Sequence, residues 1–226
     1  KGVQMLSSPS DLEVAFDVPS LLEKKVNFVK EISVIVARNE SGEIRSYPTC
    51  EQEFNSEANL VEFLFSPAKI SQETEKIAQE IAHTIIQKLG MVGILAVEFF
   101  VLEDGTVLVN EMAPRTHNSG HHTIECNFTS QFEQHFRAVM NFPLGSTAIT
   151  TPGVMINLLG DKNYTGTPFY EGMDKAMAQE GVFPHLYGKT ETKPFRKMGH
   201  ITVVDSNLED AIKKAREIAQ EVRVIS

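Results

Sequence analysis

Residues 97–111 read VEFFVLEDGTVLVNE, two apolar runs on either side of the tight-turn pair Asp104-Gly105. Such a pair between two strand-like runs predicts a β-hairpin with a two-residue loop. In that register three pairs face each other across the hairpin: Leu102 with Val107, Phe100 with Val109, and Glu98 with Glu111.

The pairing of Glu98 with Glu111 puts two carboxylates side by side on one face of the hairpin. Like charges directly opposite in a sheet are destabilising, so one carboxyl must be protonated or a cation must lie between them. A hard divalent ion such as magnesium, which prefers oxygen ligands, is the simplest remedy. Glu98 alone could equally be a solvent-facing charge on a half-exposed sheet, and the facing Glu111 favours the metal pair.

The composition is that of an ordinary globular protein, with 226 residues, 42% hydrophobic residues and a formal net charge of −9. A chain of this length can bury one large core or two smaller ones. The negative charge argues against nucleic-acid or anionic-membrane partners, and no apolar run approaches the roughly 20 residues that span a bilayer. The two cysteines, Cys50 and Cys126, lie in no metal-binding spacing, so a reduced, cytosolic setting is expected.

Hydrophobic periodicity predicts an α+β chain. Helices are expected over 8–16, 71–89 and 130–140, and after Ser206, which stands in capping-box spacing with Glu209. Strands are expected over 20–26, 31–38, 43–50, 154–159 and 199–204, with a turn at 39–42. The 71–89 helix carries one apolar stripe of Ile77, Ile81, Ile85 and Leu89, with Ala78, Ala82 and Ile86 beside it. The stretch 145–153 indicates a boundary between two domains, 1–148 and 149–226.

A polar loop follows Glu111 and gathers a guanidinium, three imidazoles and an amide next to the proposed metal. Arg115 can grip a phosphate or carboxylate through two parallel hydrogen bonds, and Gly120 can let a ligand approach the backbone closely. Taken by itself, this segment is more typical of a polar surface loop. Its position next to the carboxylate pair favours a binding role instead. A zinc site built from His117, His121 and His135 is a competing interpretation whose spacing matches no strong pattern.

Two further charged segments stand out in this acidic chain. The first consists of Glu23, Lys24, Lys25, Val26 and Glu31, and by itself it is typical of a solvated strand edge. The second is a basic cluster of Lys193, Arg196 and Lys197. Such a cluster is usually a solvated surface, but an anionic substrate would also be drawn there.

Several motifs together resemble one family. The central motif is VNEMAPR at 109–115 with HNSGH at 117–121, followed by TSQFE at 129–133. Further matches are EISVIVAR at 31–38, PLG at 143–145, VMINLLG at 154–160 and RKMGH at 196–200. These motifs closely resemble those of the 5-(carboxyamino)imidazole ribonucleotide synthases, a family of ATP-grasp ligases of purine biosynthesis, and they extend over nearly the whole chain.

The resemblance implies an ATP-grasp domain with an antiparallel sheet and helices, followed by a small α/β C-terminal domain. It implies that magnesium ATP converts bicarbonate to carboxyphosphate, and that the carboxylate then passes to the exocyclic amine of aminoimidazole ribonucleotide. A cytosolic homodimer with small-molecule substrates, and with no nucleic-acid or membrane partner, is implied as well.

The resemblance also implies roles for individual residues. It places the metal on Glu98 and Glu111, which agrees with the hairpin register, and Asn110 beside the nucleotide. Adenine and ribose contacts would come from Glu23, Lys24, Lys25, Val26 and Glu31. Arg115, His117 and Asn118 would be catalytic, and they would meet bicarbonate and the ribonucleotide together with His121. Lys193, Arg196 and Lys197 would hold the ribonucleotide phosphate.

The chain departs from the family pattern at three positions. Val3 stands where glutamine is common, Phe54 where histidine is common, and His122 where tryptophan or tyrosine is usual. Lys1-Gly2 match the end of a glycine-rich loop, so the N-terminal part of the enzyme is expected to be missing and the isolated chain to be inactive. The alternatives are another ATP-grasp ligase, a non-catalytic zinc-binding module and an inactive remnant that dimerises.

Overall fold

The computed structural model describes residues 3–55 and 60–226, so the Lys1-Gly2 match lies outside the described residues. A 3₁₀ helix at Pro9–Val14 comes first. The strands are β1 (Lys30–Arg38), β2 (Ile44–Ser46), β3 (Cys50–Asn55), β4 (Leu60–Ser66), β5 (Gly93–Val101), β6 (Val107–Ala113), β7 (Gly153–Leu159), β8 (Phe169–Glu171), β9 (Val182–Leu186), β10 (Lys197–Val204) and β11 (Arg223–Ile225). The helices are α1 (Gln72–Lys88), α2 (Thr123–Cys126), α3 (Gln131–Val139), α4 (Met173–Met177) and α5 (Leu208–Glu221). This mixture confirms the α+β class.

One large sheet contains most of the strands, in the order β6-β5-β1-β3-β4-β7-β10-β9, with β2 beside β1. Its strand pairs are antiparallel, as the family resemblance implies. A separate small sheet pairs β8 with β11. Because β4 pairs with β7, the large sheet continues across residue 148, and the division into 1–148 and 149–226 stays a prediction. Within the described ranges, no helix has the length and apolar character needed to cross a membrane.

The two faces of β1 differ, and the difference locates the site. One face packs Ile32 and Val34 against α1 in a closed apolar core. The other face packs Ile35 against α3 and then becomes polar at Ser33 and Glu31, since alternate residues of a strand share a face. A buried polar surface therefore continues directly from a packed core along the same strands.

The β5–β6 hairpin has a longer loop than its sequence predicts. Leu102 donates its N–H to the carbonyl of Thr106 (2.9 Å), and Gly105 adopts a φ of +83°. The loop therefore contains three residues, a type in which the last residue is left-handed. Val101 now faces Val107, and the predicted pairs Leu102–Val107 and Phe100–Val109 are wrong.

A bulge in β6 restores the register before the carboxylates. Val109 faces Phe99 and Glu111 faces Glu98, which leaves Asn110 as an extra residue without a cross-strand partner. The predicted pairing of Glu98 with Glu111 is confirmed, although the loop is one residue longer than predicted and a bulge compensates for it. The loop and the bulge each shift the register by one residue, and the two shifts cancel.

Two expected strands differ from the structure. The segment expected as one strand at 43–50 forms β2 and then turns at Tyr47, whose N–H donates to the Ile35 carbonyl (2.8 Å), so that β3 pairs with the first half of β1. The strand expected at 20–26 does not form. Both edges of β1 are already occupied, one by β5 and the other by β2 and β3, so the preceding segment has no edge of β1 to pair with.

The long helix α1 lies where the periodicity predicts it, but it is rotated. Its N-cap is Ser71, whose side chain accepts the Thr74 N–H (3.1 Å). The buried residues are Thr74, Ala78, Ala82 and Ile86, while Ile81 and Ile85 are partly buried and Leu89 is exposed. The centre of the contact is therefore the row of Ala78, Ala82 and Ile86, and Ile81 and Ile85 flank it.

The other helices match their predictions with small differences. α3 begins after Ser130, whose side chain accepts the Glu133 N–H (3.2 Å). α5 is capped by Asn207, which accepts the Asp210 N–H (3.0 Å), so the predicted capping box of Ser206 and Glu209 is wrong. The helix expected at 8–16 is the shorter 3₁₀ helix at Pro9–Val14.

Gly105→Ala should lower the free energy of unfolding by about 1–2 kcal/mol, because an L side chain is strained at a φ of +83°. Steric crowding is not the cause, since no heavy atom of the described residues lies within 4 Å of a Cβ added there. Gly105→Asn is the matched control and should cost less, because asparagine tolerates the left-handed region better. Urea denaturation measures the three proteins, and equal losses for alanine and asparagine would contradict a backbone origin.

Candidate active site

Two carboxylates and an imidazole meet at the polar end of the hairpin. One ligand atom each from Glu98, Glu111 and His117 lies within 4.8 Å of the others. Glu98 is 6% exposed, whereas Glu111 is exposed on the edge strand β6, so the two carboxylates reach this place from the interior and from the solvent side. In the part of the chain that the structure describes, this is the only group of three or more acidic, cysteine or histidine side chains placed to hold a metal ion.

Glu31 adds a third carboxylate to the same region. Burial, followed by the negative charges of Glu98 and Glu111, raises the pKa of Glu31 to about 7. Asn110 opposes this rise, because its Nδ2 donates to Glu31 Oε1 (3.3 Å). The β6 bulge thus supplies a donor to Glu31, and the repulsion among the acidic groups favours a bound cation.

His117 is a neutral imidazole at neutral pH. Burial, followed by the positive charges of Arg115 and a nearby lysine, lowers the pKa of His117. Its Nδ1 lies 2.9 Å from Ser119 Oγ and 3.5 Å from Glu98 Oε1, so the contact with Glu98 is not an ion pair at neutral pH. Ser119 Oγ lies 2.8 Å from Ser33 Oγ, which attaches the loop to β1.

Gln131 of α3 holds the 117–121 loop from the inside. Its Oε1 accepts the His117 N–H (2.9 Å), and its Nε2 donates to the His117 carbonyl (2.8 Å) and to His121 Nδ1 (3.1 Å). Since an amide NH₂ only donates, His121 accepts at Nδ1 and carries its proton on Nε2. A Cβ at Gly120 would collide with the Gln131 amide, so this glycine is needed for packing, and its expected role in ligand approach stays a prediction.

Lys197 connects the basic cluster to the carboxylates. Its Nζ donates to Asn118 Oδ1 (3.0 Å), and Asn118 exchanges two hydrogen bonds with Asn157 of β7 (2.8 and 3.0 Å). Burial lowers the pKa of Lys197, and the charges of Glu98 and Glu111 oppose that effect. The loop, β7 and β10 therefore meet at one partly buried cation.

The other members of the basic cluster lie differently. Lys193 Nζ forms an exposed ion pair with Glu191 Oε2 (2.9 Å), and Arg196 donates to the Glu191 carbonyl (2.8 Å). Lys189, which belongs to none of the sequence motifs, donates to the Lys197 carbonyl. Burial, followed by the charge of Arg196, lowers the pKa of Lys189. The structure thus brings Lys189, Arg196 and Lys197 together, while Lys193 pairs with an acidic neighbour.

The segment of Glu23, Lys24, Lys25 and Val26 has no regular secondary structure. Its three charged residues are exposed and Val26 is partly buried. The chain that follows is attached to β5: Phe28 stacks on Phe100 with ring centroids 4.4 Å apart, and Val29 donates to the Val101 carbonyl (2.8 Å). The segment is therefore anchored at the strand that carries Glu98, and its charged side chains face solvent.

A column of three stacked imidazoles lies beside the loop. His200 stacks on His121 with ring centroids 4.7 Å apart and on His185 with centroids 4.5 Å apart. Its Nδ1 lies 3.0 Å from the Tyr187 hydroxyl, and His185 Nε2 lies 2.7 Å from Glu125 Oε1. Burial lowers the pKa of His200 to about 3 and that of His121 to about 4, so both rings are neutral at neutral pH.

Of this column, only His121 is predicted from the sequence as a site residue. His185 and His200 are directly opposite in the β9–β10 ladder, and their separation along the chain gives no signal of that register. Gln52 was missed as well, although its Nε2 donates to Glu98 Oε1 (2.8 Å) and fixes that carboxylate. Both omissions concern partners that strand pairing alone brings together.

The donor set fits a hard divalent cation better than zinc. Glu98 and Glu111 offer carboxylate oxygens, and magnesium is usually held by one or two carboxylates together with substrate phosphates. The competing zinc site of His117, His121 and His135 does not form. His121 belongs to the imidazole column, and His135 Nδ1 accepts the Ile94 N–H (3.2 Å).

Comparison with known families then decides the class of the protein. The family described as ATP-grasp domain matches residues 1–132. The chain belongs to the ATP-grasp family. The part of this ATP-grasp chain that follows matches a second family, described as phosphoribosylaminoimidazole carboxylase C-terminal domain, at residues 153–214. The carboxylate hairpin lies in the first match, and Lys197 and His200 lie in the second.

Related proteins confirm the resemblance drawn from the motifs. The N5-carboxyaminoimidazole ribonucleotide synthase of Bacillus subtilis is 44% identical over 182 residues, which cover 80% of this ATP-grasp chain and 46% of the relative. The crystal structure of the N5-carboxyaminoimidazole ribonucleotide synthetase from Thermotoga maritima gives a TM-score of 0.88 at 48% identity, covering 97% of this chain and 58% of that one.

A third relative was solved with ligands. The N5-carboxyaminoimidazole synthase of Aspergillus clavatus, in complex with ADP and 5-aminoimidazole ribonucleotide, gives a TM-score of 0.83 at 32% identity and covers 94% of this chain and 57% of that one. This ATP-grasp chain thus spans about half the length of the relatives it matches.

His122→Phe should raise the free energy of unfolding by about 1–3 kcal/mol at neutral pH. The ring of His122 is 1% exposed, and neither nitrogen has a hydrogen-bond partner in good geometry among the described residues, so a phenyl ring of similar size removes a poorly satisfied polar group. Urea denaturation measures the change. His83→Phe, at a partly buried position on α1, is the control and should give a smaller gain.

The same variant should also flatten the pH dependence of stability. Burial lowers the pKa of His122 to about 4, whereas a histidine in the unfolded chain titrates near 6.5. The unfolded state therefore binds the extra proton, and His122 reduces the free energy of unfolding as the pH falls from about 6.5 to about 4. An identical pH profile in the wild type and in His122→Phe would contradict a buried neutral ring.

Proposed function

We propose that this chain carries the ATP-grasp and C-terminal parts of a 5-(carboxyamino)imidazole ribonucleotide synthase. The activity is the ATP-dependent carboxylation of aminoimidazole ribonucleotide with bicarbonate. The observation that supports it most is the meeting of Glu31, Glu98 and Glu111 beside a loop rich in cationic and imidazole groups. Relatives that bear this name, one of them solved with ADP and the ribonucleotide, favour this reaction over others of the ATP-grasp family.

Glu98 and Glu111 would hold magnesium. When bound, the ion offsets the negative charge of the phosphate oxygens during phosphoryl transfer. Gln52 keeps Glu98 in place through its hydrogen bond (2.8 Å), and Glu31 is close enough to both carboxylates for its pKa to be raised by them. Binding of a cation relieves that repulsion, so the metal and the acidic face stabilise each other.

The nucleotide would lie between the hairpin and the segment before β1. Asn110 and Glu31, which are hydrogen-bonded to each other, would contact it from the sheet. Glu23, Lys24, Lys25 and Val26 would contact the adenine and ribose from the other side. The exposure of the three charged residues leaves their side chains available for such contacts.

The carboxylation end of the site would be the loop after Glu111. Arg115 is exposed and can present its guanidinium to a phosphate or carboxyphosphate oxygen. His117 is neutral and thus in the protonation state of a general base, and Asn118 is fixed between Lys197 and Asn157. His121 would line the ribonucleotide site, and Lys193, Arg196 and Lys197 would hold its phosphate.

The chemistry takes two steps in this arrangement. An oxygen of bicarbonate bonds to the terminal phosphorus of ATP as the bond to ADP breaks, which gives carboxyphosphate. The exocyclic amine of the ribonucleotide then bonds to the carboxyl carbon, phosphate leaves and the nitrogen loses a proton. Carboxyphosphate is hydrolytically fragile, so a site with a buried floor, such as that formed by Glu98, Ser33 and Ser119, serves to limit access of water.

We place this enzyme in the cytosol as a homodimer. Cys50 and Cys126 are both free and buried, which supports a reducing compartment. The homodimer follows from the family resemblance.

Replacing Glu98 and Glu111 singly by Gln should lower magnesium-dependent ATP turnover at least about 100-fold, because each change removes an anionic ligand without altering the shape of the side chain. The assay uses a chain extended to the full length of its relatives, with bicarbonate and aminoimidazole ribonucleotide. Glu103→Gln, on the exposed turn of the same hairpin, is the matched control and should keep wild-type turnover. Full activity in both site variants would remove the metal assignment.

Arg115→Lys should retain ADP binding but lower ribonucleotide-dependent turnover by roughly 10–100-fold, because a point charge cannot reproduce a two-bond contact with an oxyanion. Arg45→Lys, at an exposed arginine paired with Glu43, is the control and should change neither quantity. Stimulation of ATP hydrolysis by other amines, in place of aminoimidazole ribonucleotide, would indicate a different ATP-grasp ligase. Unchanged carboxylation kinetics in Arg115→Lys would rule out the role of Arg115.

A further inference from the structure

His200, the middle ring of the imidazole column, is a buried polar side chain with only half of its hydrogen-bonding capacity in use. The residue is 3% exposed on β10. Its Nδ1 lies 3.0 Å from the Tyr187 hydroxyl, while its Nε2 has no hydrogen-bond partner within residues 3–55 and 60–226. A buried polar atom without a partner costs free energy, so this histidine needs a reason other than the stability of the fold.

Two aromatic rings hold His121, and His200 is one of them. The plane of the His121 ring lies within 16° of the His200 plane and within 15° of the Phe132 plane, with centroids 4.7 and 5.7 Å apart. Phe132 and His200 do not stack on each other among the described residues, so they support different parts of the His121 ring. The Tyr187 ring adds an edge-on contact, with its centroid 6.2 Å from that of His121.

The stacked rings leave His121 with one donor for a ligand. Gln131 donates to Nδ1 (3.1 Å), so the proton of the neutral ring lies on Nε2. Within the described ranges, no residue accepts a hydrogen bond from that Nε2–H, and the ring is partly buried. His121 therefore presents a single N–H whose direction is fixed by the rings on which it stacks.

His200 is itself held in place by residues from three elements. The Tyr187 hydroxyl, just after β9, bonds to its Nδ1. His185 of β9 stacks on it with centroids 4.5 Å apart, and His185 Nε2 lies 2.7 Å from Glu125 Oε1 of α2. The His200 ring is therefore fixed by a hydrogen bond and by a stacked neighbour that is hydrogen-bonded in turn, so it is a firm support for the ring of His121.

One cross-strand pair holds two members of the site loop. His200 of β10 lies directly opposite Asn157 of β7, so both side chains are on the same face of the sheet. Asn157 fixes Asn118 through two hydrogen bonds (2.8 and 3.0 Å), and His200 stacks on His121. The sheet after residue 148 thus orients the loop at both residues, Asn118 by hydrogen bonds and His121 by ring contact.

We propose that His200 is a positioning residue for the ribonucleotide. Its ring holds His121 in the orientation in which the Nε2–H donates to an acceptor atom of aminoimidazole ribonucleotide. His200 acts through His121 and does not touch the substrate itself. The proposal rests on the proposed function, in which His121 lines the ribonucleotide site. Because the donor is oriented before the substrate arrives, less side-chain freedom is lost on binding.

Steady-state kinetics of a chain extended to the full length of its relatives test the proposal. His200→Ala should raise the KM for aminoimidazole ribonucleotide about tenfold, the contribution of roughly one hydrogen bond, and should change kcat less than about threefold. The KM for ATP should stay unchanged, because the proposed nucleotide site is formed by the hairpin and the segment before β1. His200→Phe keeps a ring for the stack and should restore the wild-type KM. Thr202→Ala, a buried truncation on the same face of β10, is the matched control and should change neither KM.

Nitrogen NMR of the imidazoles reports on His121 without any substrate, with its signals assigned from their loss in His121→Asn. The wild type and His200→Phe should show His121 as a single tautomer with the proton on Nε2, and His200→Ala should show a mixture of both tautomers.

Three results would overturn the positioning role of His200. They are an unchanged KM for the ribonucleotide in His200→Ala, an equal rise of the KM values for both substrates, and wild-type His121 signals in His200→Ala. Failure of His200→Phe to restore the KM would also overturn it, because the role would then not depend on the ring. A wild type with the expected signals but without ribonucleotide-dependent turnover would refute the proposed function and the substrate named here, while the orientation of His121 by His200 would stand.

Discussion

Mutual repulsion among three carboxylates on one face of a sheet is the constraint on which the rest of this structure depends. Glu31, Glu98 and Glu111 are close enough for the last two to raise the pKa of the first to about 7. Neutral donors offset the repulsion, Gln52 at Glu98 and Asn110 at Glu31, and so does the positive charge of the partly buried Lys197. A cation bound among these carboxylates would relieve the remaining repulsion, as the proposed magnesium nucleotide site requires.

The loop that completes the site is held by neutral hydrogen bonds rather than by charges. The Gln131 side chain donates to the His117 carbonyl, and Ser119 connects the loop to Ser33. Burial keeps His117 and His121 neutral. Neutral imidazoles add no charge next to Lys197 and Arg115, so the positive charge of the site comes from these two side chains. As a consequence, helix α3 buries polar side chains at positions where apolar residues would otherwise lie: Gln131, which holds the loop, and Gln134, which bonds to Gly145.

Much of the fold was predictable because its signals are local. The stripe and stop signals of α1, the cap of α3 and the apolar run of β1 each depend on neighbouring residues, and the structure confirms these elements. The strand expected at 20–26 does not form, and both edges of β1, the strand that follows it, are occupied by other strands, which is a property of the sheet. The pairing of Glu98 with Glu111 was predicted correctly from a loop length that was wrong, since the bulge at Asn110 compensates for the longer turn.

The sequence by itself determined the family of the chain, the position of its main helices and the identity of the residues around the carboxylate hairpin. These follow from residue types at short spacing and from long motifs, both of which can be read directly from the order of residues along the chain. Only the tertiary structure decided that Gln52 supports Glu98, that His185 and His200 stack behind His121, and that Lys197 rather than Lys193 reaches the carboxylates. Each of these depends on which strands pair and in what register, and antiparallel pairing joins residues whose distance along the chain carries no information about their contact.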